Sequence, residues 1–144
     1  KRDLISKTPR FYLFDVGVAN YLMKRKIVEL RGDYAGDAFE HYILMELMAY
    51  QAYRRPEMEI AFWRTSTNQE VDFIINDMEC AIEVKSSTSI ASHHLKGLRE
   101  INKDYKVKTR IMVSLERRSR KTEDGISILS IQDFCTRLWK GDLW

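Results

Sequence analysis

Cysteine, proline and long apolar runs are all scarce in this chain. Its two cysteines, Cys80 and Cys135, stand within apolar segments, which argues against a disulfide framework or a zinc site. That placement favours reduced, buried thiols and a cytoplasmic location. No apolar run approaches the ~20 residues that cross a bilayer, and the N-terminus has no secretory hydrophobic region, so we expect no membrane partner.

The charge balance is also weak in either sign. A net charge of +3 over 144 residues permits a nucleic-acid partner without requiring one. The length corresponds to about one domain with a continuous core. The chain opens on "KRDLISKTPR" without an initiator Met, and it has no G-x-x-x-x-G-K-[ST] phosphate loop. We expect it to be part of a longer protein that lacks its N-terminal portion here.

The longest helical pattern runs from 37 to 55. Asp37 is placed as its N-cap, with Glu40 three residues later in capping-box spacing. The segment is apolar around most of its circumference, so we expect a largely buried helix that ends at Pro56. The apolar stripe that should face the core consists of Phe39, Ile43, Leu47 and Tyr50, widened by Tyr42, Met45 and Ala49.

Strand-like segments follow this helix at short intervals. Links of two to four residues between the first three predict hairpins, and therefore antiparallel neighbours. The order predicts an α/β domain with a mixed sheet flanked by helices. The predicted strands are 10–15, 59–65, 70–76, 79–86, 107–115 and 126–130, the further helices are 16–26, 89–104 (capped by Ser89) and 131–141, and 116–125 is a polar loop.

The stretch "EVDFIINDMECAIEVKSS" (70–87) puts charges inside two strands. With alternation of period 2, Val71, Phe73 and Ile75 take one face, and Asp72 takes the other. In the next strand Glu83 and Lys85 share the face opposite its apolar residues. If the two strands pair as a hairpin, Asp72 and Glu83 can lie side by side.

Neighbouring carboxylates raise each other's pKa unless a cation neutralises them. A hard divalent ion such as Mg²⁺ takes oxygen ligands and retains waters. A fixed, charged Lys85 beside Asp72 and Glu83 would stabilise a developing anion, and the set suits attack of water on a phosphodiester. A solvent-facing ladder of opposite charges explains the same spacing, so both interpretations stay open at this point.

The residues also resemble a known superfamily. "EVDF", followed by "EVK" at 83–85, resembles the D…E-x-K core of the PD-(D/E)xK, or restriction-endonuclease-like, nucleases. Glu40 of "GDAFEHYILMEL" matches the acidic residue of that superfamily's first helix, and the order α-β-β-β-α-β matches its common core. Val71 stands where the motif's Pro would be, at a position that varies among members.

A narrower resemblance covers about residues 9 to 100. "RFYLFDVGVANYL", "GDAFEHYILMEL", "FWRTSTNQEVDFII" and "AIEVKSS" look like the C-terminal domain of a large group of bacterial and archaeal AAA-type ATPases. This resemblance implies a nuclease-like domain over 31–144. It makes 1–30 the tail of a preceding winged-helix segment or an N-terminal strand–helix appendage. ATP would then act only through an ATPase module absent from this chain.

The resemblance implies the following roles. Asp72 and Glu83 become ligands of Mg²⁺ or Mn²⁺, Glu40 reaches the metal directly or through a water, and Lys85 stabilises charge and orients the water. The expected activity is metal-dependent phosphodiester hydrolysis of DNA, with the ATPase and winged-helix modules, and a homo-oligomer, as further partners. The alternative is a catalytically silent fold that binds DNA or a partner or supports oligomerisation. Residues placed to contact nucleic acid are Arg64, Ser86 and Lys96.

Three further features have two interpretations each. Glu70 is an auxiliary ligand or solvated, and we favour the solvated state. Adjacent helical positions point about 100° apart, so His93 and His94 are poorly placed to share an ion and are better explained as a surface or groove pair. The basic run 116–121, with the scattered Lys and Arg at 103, 106, 108 and 110, neutralises a phosphate path or is simply solvated, and solvation is the commoner outcome for such loops.

Overall fold

A computed structural model describes residues 12–13, 15–22, 33–65 and 69–144. The predicted mixed α/β architecture is confirmed: helices flank a six-stranded sheet that contains both parallel and antiparallel pairs. The predicted strand at 10–15 is wrong for Tyr12, Leu13 and Asp15, which are not in a strand, and the rest of that segment lies outside the described residues. The elements are α1 (Val16–Leu22), α2 (Asp33–Arg54), β1 (Ile60–Arg64), β2 (Glu70–Ile75), β3 (Cys80–Lys85), α3 (Lys96–Asp104), β4 (Thr109–Ser114), β5 (Arg120–Lys121), β6 (Ser127–Ser130) and α4 (Ile131–Lys140).

The strands lie in the order β1-β2-β3-β4-β6-β5. The predicted meander is confirmed, because β1 pairs antiparallel with β2 and β2 antiparallel with β3. Strand β4 is parallel to β3, β6 is parallel to β4, and β5 closes the edge antiparallel to β6. Parallel strands end at the same edge of a sheet, so Lys85, Ser114 and Ser130 share one edge.

Apolar side chains cover both faces of the sheet. The face under α2 and α4 holds Phe39, Ile43, Leu47 and Tyr50 of the predicted helix stripe, and Ile43 and Leu47 are fully buried there. Tyr42, predicted to widen the stripe, is exposed instead. The opposite face lies under α3, where Leu98 and Ile101 are fully buried. Complete burial of each such side chain contributes about 1.5–3 kcal/mol relative to exposure, so both layers stabilise the sheet.

Strand β2 departs from simple alternation. Ala61 pairs with Ile74 and Trp63 with Val71, so Phe62 of β1 faces two residues of β2. This bulge shifts the alternation by one residue. Val71 therefore packs on the α3 face, whereas Phe73 packs on the α2 face, and the predicted grouping of Val71 with Phe73 is wrong.

The predicted start and burial of the long helix also need correction. Helix α2 begins at Asp33, not at Asp37, and Gly36, a residue type that commonly marks a break in a helical pattern, lies within the helix. One side of α2 stays exposed, including Tyr42, Met48 and Tyr53, the last at 80%. The all-round apolar pattern reflects large residues on the outer face as well as on the core face.

Two other local predictions fail for local reasons. Ser89 does not cap the helix at 89–104, because its backbone N–H donates to the Ser87 hydroxyl and a 3₁₀ turn, Ser92–Leu95, precedes α3. The predicted polar loop at 116–125 contains the two-residue strand β5, which pairs with Ile128 and Ser127 of β6. A strand of two charged residues has no apolar periodicity to reveal it.

No helix among the described residues is long and apolar enough to cross a membrane. Both cysteines are free; Cys80 is buried as predicted, whereas Cys135 is only half-buried. The predicted tail at 1–30 falls mostly outside the described residues, apart from a short stretch that includes α1.

Candidate functional site

The site is built where β2 and β3 separate. The two strands pair from Ile75 and Cys80 as far as Phe73 and Ile82. Beyond that point Asp72 takes the place of a backbone partner: its Oδ2 accepts the N–H of Val84 at 2.8 Å. Asp72 is only 6% exposed, so its carboxylate lies inside the cleft between the strands.

Glu83 lies on β3 in the same cleft. Its Oε2 is buried and has no hydrogen-bond partner among the described residues. Burial raises the pKa of Glu83 to about 9, and the negative charges of Asp72, Glu70 and Glu40 add to the effect, while Lys85 opposes it. Acidic groups from one strand, β2, and one helix, α2, therefore act on a single buried carboxyl.

Glu40 reaches this region from α2. Its carboxylate is held by Tyr12, whose hydroxyl donates to Oε1 at 2.5 Å. The Tyr12 ring also packs edge-on against His41, with ring centroids 6.0 Å apart. No role for Tyr12 was predicted, because the aromatic run "RFYLF" resembles a strand and the contact of Tyr12 with Glu40 spans 28 positions.

Glu70 and Arg64 form the outer side of the cleft. Arg64 Nε lies 3.9 Å from Glu70 Oε2 in a half-exposed ion pair, which contributes little to stability. Glu70 is half-buried, with 39% of its side chain exposed, and its negative charge raises the pKa of Glu83. The expectation of a solvated side chain in place of an auxiliary ligand stays a prediction. Arg64 thus joins the cleft through Glu70.

Helix α3 approaches β2 unusually closely at Glu70. A Cβ placed on Gly97 would lie 2.1 Å from the carbonyl oxygen of Glu70. Only glycine permits that distance. Gly97 therefore sets the position of α3 beside the cleft, a role that one sequence could not reveal because the contact is between distant segments.

Lys85 and Ser86 mark the open end of the cleft. Lys85 is exposed at the end of β3 and acts on both Glu83 and His94 electrostatically. The Ser86 hydroxyl lies beside Gly36 of α2, 3.8 Å from where a Cβ would stand. Lys96, by contrast, is exposed on α3 and its ammonium forms no hydrogen bond or ion pair with a described residue.

The histidine pair stands near Lys85. The rings of His93 and His94 are 4.0 Å apart, and His94 Nδ1 accepts the N–H of Ala91 at 3.1 Å. Partial burial, His93 and Lys85 lower the pKa of His94. His93 is exposed and His94 half-buried, in keeping with the predicted surface or groove pair, and the Nδ1 atom of His94 is already bonded to the backbone.

Within the described ranges, no group of three or more His, Cys, Asp or Glu side chains is placed to hold a metal ion. Two carboxylates, Asp72 and Glu83, remain as the inner pair, and Glu40 is turned towards Tyr12. Mg²⁺ is commonly held by one or two carboxylates together with waters and substrate phosphates. The inner pair therefore offers oxygen donors, the donor type that such an ion takes.

Comparison with known proteins gives one match. Residues 35–134 match the family described as "Domain of unknown function (DUF4143)". No curated protein and no solved structure matches the chain. The matched range contains Glu40, Asp72, Glu83 and Lys85.

Proposed function

The chain belongs to the DUF4143 family, and we propose that it hydrolyses phosphodiester bonds of DNA with the help of a divalent metal ion. The family description names no activity, so the proposal rests on the cleft itself. One observation carries it: Glu83 keeps a buried carboxylate oxygen without a hydrogen-bond partner among the described residues, beside Asp72.

A buried carboxylate without a partner costs several kcal/mol when it ionises. Other acids surround Glu83, so the fold increases that cost instead of relieving it. A divalent cation at this place would offset the repulsion, and oxygen donors are the ligands that Mg²⁺ and Mn²⁺ prefer. The residues present therefore fit a metal of this class.

The chain's own groups divide the remaining work. Asp72 and Glu83 would hold the metal, and Glu40 would support it directly or through a water once the Tyr12 hydroxyl yields. Bound there, the metal supplies an acidified water and neutralises phosphate charge. Lys85, exposed at the mouth of the cleft, would stabilise charge that develops on the phosphate and orient the water.

The order α2-β1-β2-β3-α3-β4 supports placing the domain in the PD-(D/E)xK group. Strands β1 to β3 are antiparallel and β4 is parallel to β3, so the sheet is mixed, in keeping with the mixed sheet that the resemblance implies. From the resemblance of about residues 9 to 100 to the C-terminal domain of AAA-type ATPases, we also propose that the domain acts beside an ATPase and a winged-helix module in a longer protein.

One observation favours a catalytically silent alternative. One carboxylate oxygen of Asp72 already accepts the Val84 N–H. Among the described residues, no group of three or more possible ligands is placed to hold a metal ion. In that case the fold would serve as a DNA-binding, partner-binding or oligomerisation module. The Glu83 oxygen argues against the silent alternative, because it is buried without a hydrogen-bond partner among the described residues. Such a group destabilises the fold, and a site without catalytic or metal-binding function gains nothing that offsets this loss of stability.

Cleavage assays test the proposal. We expect the domain to nick or cut supercoiled, linear or branched DNA with Mg²⁺ or Mn²⁺, and Asp72→Asn and Lys85→Ala to lose at least about a hundredfold in rate. Asn is chosen at 72 because its side-chain oxygen can still accept the Val84 N–H. Lys140→Ala, an exposed cation on α4, is the control and should cut normally.

Cleavage that survives both substitutions would indicate a contaminating nuclease and refute the assignment. Failure of the wild-type domain to cut any of the substrates with either metal would favour the silent module.

A further inference from the structure

We propose that residues 115–119, called the basic bend below, hold the DNA backbone beside the cleft through Arg117 and Arg118. This inference rests on the proposed function and adds to it the surface along which the substrate runs. Three observations support it: hydrogen bonds fix the basic bend at both ends, the bend lies at the sheet edge that holds Lys85, and its two arginines have no acidic partner among the described residues.

The basic bend is tied to the segment that follows Lys85. The Leu115 N–H donates to the Ser87 carbonyl at 3.0 Å. A carboxylate oxygen of Glu116 accepts the Ile90 N–H at 2.6 Å, and Arg120 donates to the Ile90 carbonyl at 2.9 Å. The bend and the residues after β3 are therefore one braced unit.

The other end of the bend is tied to α4. The Ser119 hydroxyl accepts the N–H of Ser130 at 2.9 Å and donates to Asp133, in the first turn of that helix. Ser130 in turn caps the helix, since its hydroxyl accepts the Asp133 N–H. Held on both sides, Arg117 and Arg118 project from a fixed turn.

The bend lies close to the mouth of the cleft. Lys85 stands opposite Ser114 in the parallel register of β3 and β4, and neighbouring strands are about 4.8 Å apart. Arg117 follows Ser114 by three residues, so their Cα atoms are at most about 11 Å apart. Phosphates follow one another at about 3.4 Å of helix axis per strand. The two arginines thus come within reach of phosphates a few nucleotides from the one at Lys85.

The charge of the bend is concentrated on the two arginines. Glu116 forms an ion pair with Arg120 at 3.0 Å. This pairing lowers the pKa of Glu116, so its carboxylate stays ionised. Arg117 and Arg118 are exposed and form no hydrogen bond or ion pair with a described residue. Guanidinium groups bind phosphate oxygens in a bidentate manner, and the acidic cleft alone would repel the same polyanion.

Binding measured without divalent metal isolates this contribution from catalysis. We would titrate labelled duplex DNA with the domain in EDTA at several salt concentrations and follow anisotropy. The double variant Arg117→Gln/Arg118→Gln should reduce the slope of log K against log salt by about 1.8, because each lost phosphate contact removes about 0.9. At about 0.1 M salt the affinity should fall on the order of 60-fold.

The matched control removes two exposed cations at the opposite end of β4. Lys106→Gln/Lys108→Gln changes the net charge equally, and the Lys108 N–H is bound to Met78 in the turn between β2 and β3. Its slope and affinity should stay close to those of the wild type. Equal losses in the two double variants, no loss in the Arg117/Arg118 variant, or no wild-type binding of DNA would overturn the proposal.

The two proposals fail separately. If the domain binds DNA through the basic bend yet never cuts it with Mg²⁺ or Mn²⁺, the catalytic assignment is refuted and the proposal for the basic bend is kept. If the domain cuts dilute DNA at the same rate with and without Arg117 and Arg118, the proposal for the basic bend is refuted and the catalytic assignment is kept. Binding of RNA with no binding of DNA would also overturn the proposal that the basic bend holds DNA.

Discussion

Glu83 is the residue at which stability and proposed function conflict. Its carboxyl is buried, its Oε2 lacks a partner among the described residues, and burial with nearby acids raises its pKa to about 9. Without a metal, the folded protein keeps this group protonated at neutral pH, whereas the unfolded chain ionises it above pH 4.5. A group with a raised folded-state pKa contributes stability at low pH and loses that contribution as pH rises.

Removing the charge at 83 should therefore change the pH dependence of unfolding. In EDTA, we expect the wild type to lose roughly 2–5 kcal/mol of unfolding free energy between pH 5 and pH 9, because of the difference between 4.5 and about 9. Glu83→Gln should lack most of this loss and be the more stable protein at pH 8. Urea melts at several pH values measure it, with the exposed Glu123→Gln as control. Parallel curves for wild type and Glu83→Gln would refute this account of Glu83.

At the scale of elements, the contact between α3 and β2 positions one wall of the cleft. Gly97 brings the helix against the Glu70 carbonyl, where a Cβ would lie 2.1 Å from the oxygen. That backbone cannot move freely, since Glu70 is paired with Arg64 of β1. The glycine is thus required by packing, not by its own backbone conformation.

Alanine at 97 should push α3 away from β2. We expect Gly97→Ala to destabilise the domain by about 2 kcal/mol or more, as overpacking in a closed contact does. Gly36→Ala is the matched control: its Cβ would meet only the Ser86 hydroxyl at 3.8 Å, within a helix that alanine favours. That variant should be neutral or more stable by about 0.5–1 kcal/mol. Chemical denaturation compares them, and equal effects would contradict the packing argument.

The elements themselves were largely predictable, and the exceptions have local causes. Period-2 alternation located β2 and β3, and the short links predicted their antiparallel pairing. The bulge opposite Phe62 was not predictable, because it depends on how two strands match in register. The early start of α2 was missed because glycine marks a break in sequence but is tolerated within a packed helix.

At the scale of the whole molecule, both faces of the sheet are covered by helices, so the chemistry is left to its edges and clefts. The charges in "EVDF" and "EVK" do not form an open polar face; Asp72 is buried where two strands separate. The spacing of Asp72, Glu83 and Lys85 suggested the set. Tyr12 and Gly97 could not be inferred from spacing, because each acts on a residue far away in the chain.

The central claim is that Asp72 and Glu83 form a divalent cation site, and titration of the metal-free domain with Mn²⁺ tests it most directly. Calorimetry at pH 8, with and without duplex DNA, should show one ion per chain, tighter binding at higher pH as Glu83 ionises, and no such binding in Glu83→Gln. Absence of Mn²⁺ binding to the wild type even with DNA, or equal binding by Glu83→Gln, would contradict the account.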